Sequence, residues 1–160
     1  MHTLRLVFSS LALAIFISVM SIHQVFAKDI EAFLKELQER AEKRGNELSY
    51  ESVTQTGNKA VIKQFKYQLE TSGDSISANE VSFENFEELG DNGFAFDNLE
   101  VLGLVQINNT EDSNKRIFRI ERILADEVTN PSLDDREYPI WPLNIAGADL
   151  TNITYEISND

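Results

Sequence analysis

The apolar positions of residues 29–44 recur with a helical period. Ile30, Phe33, Leu34, Leu37 and Ala41 fall at i, i+3, i+4, i+7 and i+11, one stripe of a 3.6-residue helix. Asp29 suits an N-cap and Gly45 a stop. Glu31–Lys35, Glu36–Arg40 and Glu39–Lys43 stand at i,i+4 in the favourable orientation. The charged face is therefore expected to be solvated and the apolar stripe to pack on the sheet that follows.

Beyond Gly45 the period falls to two. Two alternating runs, residues 48–55 and 59–70, flank Gly57-Asn58, which suits a two-residue type II′ turn. That register pairs Thr56 with Lys59, Tyr50 with Phe65 and Leu48 with Tyr67, and an unbroken alternation adds Val61 and Leu69 to the same face. Ser72-Gly-Asp74 marks a further turn. In residues 76–83 the apolar phase shifts between Ala78 and Val81, as a bulge near Asn79-Glu80 would produce. Residues 86–92 read as an acidic loop, with Gly90 and Gly93 as a turn signal. Phe94 and Phe96 open the next element, and residues 99–107 read as a central strand. Residues 108–114 read as a hairpin loop and 116–125 as a fifth strand. Residues 130–147 hold all three prolines and Trp141 and read as irregular, and 149–158 form a sixth strand on Ile153, Tyr155 and Ile157. Short connections favour an antiparallel meander. The predicted fold class is α+β: one N-terminal amphipathic helix packed on a curved, mainly antiparallel sheet of about six strands, in a single domain over residues 28–160. The last strand is expected to be a sheet edge, which must be protected or paired.

Residues 1–27 follow another logic. Arg5 precedes fifteen uncharged residues, 6–20, and Val25 and Ala27 are the small residues before Lys28. This order matches a secretory signal peptide cleaved after Ala27. An uncleaved anchor is the alternative, since residues 4–27 approach the roughly 20 residues that span a bilayer. Ser9, Ser10, His23 and Gln24 weigh against it. Cleavage leaves an exported chain, periplasmic or secreted, with no membrane span.

Composition now acquires meaning. The whole chain has 160 residues, a net charge of −13, two histidines, two methionines and no cysteine. Removing residues 1–27 takes away His2, His23, Met1, Met20 and Arg5, leaving a charge of −14. A chain without His or Cys cannot run Ser-His-Asp or Cys-His catalysis. It is also poorly suited to zinc, copper or haem, so no cofactor is expected. Carboxylate chemistry is what remains: paired-acid hydrolysis of envelope glycans or an all-oxygen Ca²⁺ site. Asp91-Asn-Gly93 lacks the calcium-loop spacing, so no metal is expected. The acids at Glu84, Glu87, Glu88, Asp91, Asp97, Asp126, Glu127, Asp134, Asp135 and Glu137 read as solvated surface. A strongly acidic chain is a poor nucleic-acid partner.

The candidate binding segment is Tyr138-Pro-Ile-Trp-Pro-Leu143, where Tyr138, Ile140, Trp141 and Leu143 would present a rigid apolar surface to a protein partner or lipid-like ligand. The export signal, the short helix and acidic β-units such as Leu48-Ser-Tyr-Glu-Ser-Val53 and Ile76-Ser-Ala-Asn-Glu-Val-Ser-Phe83 resemble, over about residues 46–125, exported β-repeat envelope proteins of alphaproteobacteria. More distantly they resemble the curved sheets of AsmA-type and lipopolysaccharide-transport proteins. The resemblance implies an envelope location and a curved β-sheet, and it carries over no site residue. The expected function is a non-enzymatic binding or interaction domain. The alternatives are a carboxylate-dependent glycan hydrolase and an assembly subunit that pairs through its last strand.

Overall fold

The computed structural model describes residues 30–89, 93–110, 114–130 and 144–159. In chain order these are helix α1 (Ile30–Lys43), then strands β1 (Glu47–Ser49), β2 (Ser52–Thr56), β3 (Lys59–Gln68), β4 (Ser75–Leu89), β5 (Gly93–Asn109), β6 (Asn114–Asn130), β7 (Asn144–Ile145) and β8 (Ala148–Asn159). All strands join one sheet, and every ladder between them is antiparallel. Segments β1 and β2 share the lane beside β3, and β7 and β8 share the lane beyond β6. The eight segments therefore make a six-lane meander, the α+β layout expected from the pattern. The expected signal segment, residues 1–27, lies outside the described residues.

Helix α1 buries the stripe read from its period: Ile30, Phe33, Leu34, Leu37 and Ala41 are all buried. Arg40 reaches Glu36 at 2.7 Å on the solvated face. At the C-terminus, Gly45 N–H donates to Glu42 O and Asn46 N–H to Ala41 O, both at 2.9 Å. This pair of bonds is a Schellman cap, and it turns the chain directly into β1. Asn46, nearly buried, then donates from Nδ2 to the Tyr67 hydroxyl at 3.0 Å, which ties the helix end to β3.

The first hairpin has the expected register. Thr56 pairs with Lys59 and Leu48 with Tyr67, and of the turn residues only Gly57 takes a left-handed φ (61°), as type II′ requires. The face of Val61 differs from expectation. Ala60 and Ile62 are buried on the helix side, whereas Val61 pairs with Ser82 on the opposite side. Between them and Tyr67 stands Gln64, with φ 53°. One left-handed residue resets the alternation, so Ile62 and Phe65, three apart, share a face.

The reset is not confined to β3. By register Gln64 faces Asn79, Asn79 faces Gly103, Gly103 faces Glu121, and Glu121 faces Asn152. Gly103 (φ 63°) and Asn152 (φ 51°) are left-handed as well. All five strands change phase along one transverse row, so pairing continues through it without a slip. The phase shift expected at Asn79-Glu80 is real, but its cause is this shared row rather than a bulge in one strand. A second row carries left-handed Asn85 and Asn98. The rows are five residues apart on β5 and six apart on β4, and there the β4–β5 register does shift, around Glu84.

Two consequences correct the sequence reading of residues 86–92. Beyond Asn85 the chain stays in β4, with Glu87 paired to Ala95 and Leu89 to Gly93. The left-handed turn at Asn85 brings Phe86 back to the helix side, where its ring lies 4.7 Å from that of Phe33. Likewise Phe94 and Phe96 belong to the same strand as residues 99–107, and the reset at Asn98 puts them on the face of Leu99 and Val101.

Candidate functional site

The phase resets give the sheet one apolar face along its whole width. Val53, Ile62, Val81, Val101, Ile123 and Leu150 form one complete row across the six lanes. Leu48, Tyr67, Ile76, Gln106, Phe118 and Tyr155 form another, five residues away on every strand. With strict alternation, residues five apart would face opposite ways. The row of Gln64, Gly103 and Asn152 between them restores the common face.

Helix α1 covers only part of this surface. At 14 residues and about 1.5 Å per residue it is roughly 21 Å long, whereas a 17-residue strand runs to about 56 Å. Phe33 anchors it, with ring centroids 4.7 Å from Phe86 and 5.5 Å from Phe94. Phe83, Phe94 and Phe96 stack beneath, Phe83–Phe96 at 4.7 Å. Between helix and sheet lies a half-open cleft of about 170 Å³. It runs from Ile30, Leu34 and Leu37 past Phe65, Val81 and Leu104 to Ile123 on β6 and Ile145 on β7, and its surface is almost wholly apolar.

The apolar face then continues into solvent. Among the described residues the exposed large hydrophobic side chains are Ile145 (39%), Leu150 (49%), Ile153 (49%), Tyr155 (58%) and Ile157 (58%). All five face the helix side by register, through Val128, Ile123, Ile120, Phe118 and Arg116 respectively. The reverse face is mixed and charged, with Arg122 bound to Glu100 at 2.7 Å and Arg119 to Glu156 at 2.8 Å. Sequence reading marked Ile153, Tyr155 and Ile157 as alternating, but Leu150 belongs with them only because of the reset at Asn152.

The expected binding residues Tyr138, Ile140, Trp141 and Leu143 lie outside the described residues. The acidic residues of the second row serve the backbone. Asn58 Nδ2 donates to Asn85 Oδ1 at 2.9 Å, Asn85 Nδ2 to Asp97 Oδ2 at 3.0 Å, and Asn98 Nδ2 to Glu84 Oε2 at 3.0 Å. These amides hold Asn85 and Asn98 in their left-handed conformations, which Asn tolerates better than most residues. Among the described residues no group of three or more acids is arranged to hold a metal ion, and no helix is long and apolar enough to cross a membrane. Tyr50, between β1 and β2, has its phenol pKa raised above the usual value, first by burial and then by the charge of Glu31.

Compared with protein-family models, with curated proteins and with solved structures, the chain matches none.

Proposed function

We propose that this chain is an exported, non-enzymatic binding domain of the bacterial cell envelope, and that its ligand is lipid-like. The observation that supports this reading is the apolar cleft between α1 and the sheet, whose Ile123 pairs with exposed Leu150 of β8. Contiguous exposed apolar surface on a soluble domain marks a binding site more often than chance. Size narrows the ligand. A cavity of about 150 Å³ lined by aliphatic and aromatic side chains holds one benzene ring, whereas pockets for drug-sized ligands span about 300–1,000 Å³. A cleft of about 170 Å³ therefore suits the end of a hydrocarbon chain. The rest of the chain would lie along the open face past Leu150 and Ile153. The mixed, charged reverse face keeps its ion pairs in water.

The test is a titration with an environment-sensitive fluorescent fatty acid. A saturable rise in emission is expected, lost in Ile123→Glu, which places a carboxylate at the rim of the cleft. Emission that does not saturate, or that Ile123→Glu leaves unchanged while the fold is intact, would remove the reading.

A further inference from the structure

Among the described residues the outer side of β8 is a sheet edge twelve residues long, and its helix-side residues are the most exposed large hydrophobics. The opposite edge is different. The β1 lane is held by α1, with Gln38 Nε2 donating to Leu48 O at 3.1 Å, and it contributes no exposed large hydrophobic residue. Two β1 edges, or a β1 and a β8 edge, would therefore offer little matched apolar surface. Two β8 edges would offer it on both sides.

The sequence of β8 is close to self-complementary. Asn152-Ile-Thr-Tyr-Glu-Ile-Ser158 reads nearly alike in both directions about Tyr155. We infer that β8 pairs antiparallel with β8 of a second copy of this chain, about a two-fold axis through Tyr155. In that register Ile153 faces Ile157 of the partner copy and Tyr155 faces its own equivalent, all on the apolar side. Thr154 faces Glu156, so no like charges stand directly opposite one another. Moving the axis to Glu156 would oppose the two Glu156 carboxylates. Moving it to Thr154 would bring Thr151 onto Ile157, which face opposite ways because the phase resets at Asn152. The central pairs, residues 153–157, all lie on one side of Asn152, so their alternation is regular. Each Glu156 is already bound by Arg119. An isologous, closed pairing is also the commonest symmetry of soluble oligomers. The result is one sheet twice as wide whose apolar face continues across the axis. This inference stands apart from the lipid reading, since it needs no ligand.

Edge pairing over so short a run is a small interface, so the dimer is expected at about 100 µM and lost on dilution towards about 1 µM. Both copies are strongly acidic, and raising the salt should strengthen their association. The absence of cysteine makes a direct test clean. Tyr155→Cys places two thiols opposite each other across the axis, within the distance a disulfide spans, whereas Ile153→Cys places them about four residues apart. Under mild oxidation of the folded chain, Tyr155→Cys should give a covalent dimer at least tenfold faster than Ile153→Cys. Tyr155→Lys should abolish the concentration-dependent rise in mass seen by sedimentation. A monomer at every concentration, or equal cross-linking at the two positions, would overturn the proposal.

Discussion

Asn79 lies against Gly103 across the β4–β5 pair, so closely that a methyl group on Gly103 would sit 2.9 Å from Asn79 Cγ. Gly103 also has φ 63°, which disfavours any side chain. Gly103→Ala should therefore cost about 1–3 kcal/mol, by strain and by displacing Asn79. Urea denaturation followed by circular dichroism measures this. A cost near zero would mean that the transverse row does not constrain the sheet.

The same row explains what could be read from the amino-acid pattern. The Leu48–Tyr67 register was legible because turn type and alternation agree beside Gly57-Asn58. The face of Val61 was not, since Gln64 is a polar residue in a polar position and nothing local announces its left-handed φ. The phase change from Ala78 to Val81 was visible, but one strand alone cannot tell a bulge from a break shared by five. For the site, the alternation of Ile153, Tyr155 and Ile157 was apparent. That the helix leaves them uncovered depends on tertiary placement, since α1 sits against β1 and β2 at the opposite edge of the sheet from β8.

Phe33 carries the contact between α1 and the aromatic cluster of Phe86 and Phe94. Phe33→Ala should cost about 3–5 kcal/mol, as for other buried aromatic truncations. It should also enlarge the cleft, so the variant is expected to take up a bulkier apolar probe than the native protein while melting at a lower temperature. Calorimetry with and without the probe reads both effects.

Asn46 bonds the Tyr67 hydroxyl at 3.0 Å and also accepts from Glu70 N–H at 3.4 Å. Replacing it by Ala removes both bonds at a nearly buried position, at an expected cost of about 1–3 kcal/mol. Hydrogen exchange should show the faster opening at the last turn of α1 and at the end of β3, with β5 and β6 unaffected.

Tyr50 supplies a pH dependence. Its folded phenol pKa lies above the unfolded value because burial and Glu31 both disfavour the phenolate. The neutral phenol is thus preferred in the folded state. Its contribution is fully present below about pH 10 and is lost as the pH rises through the raised folded pKa. Tyr50→Phe should lose stability less steeply than the native chain above pH 10. Parallel unfolding curves at pH 9 and pH 11 would detect this.

The proposed role of the open helix-side face is to receive an apolar chain in the cell envelope. Native mass spectrometry of the protein taken from its own compartment tests it most directly. A chain beginning at Lys28 with an adduct of lipid or acyl-chain mass is expected, and loss of that adduct in Ile123→Glu. A bare chain in the native protein, with the cleft intact and no adduct at any collision energy, would contradict it.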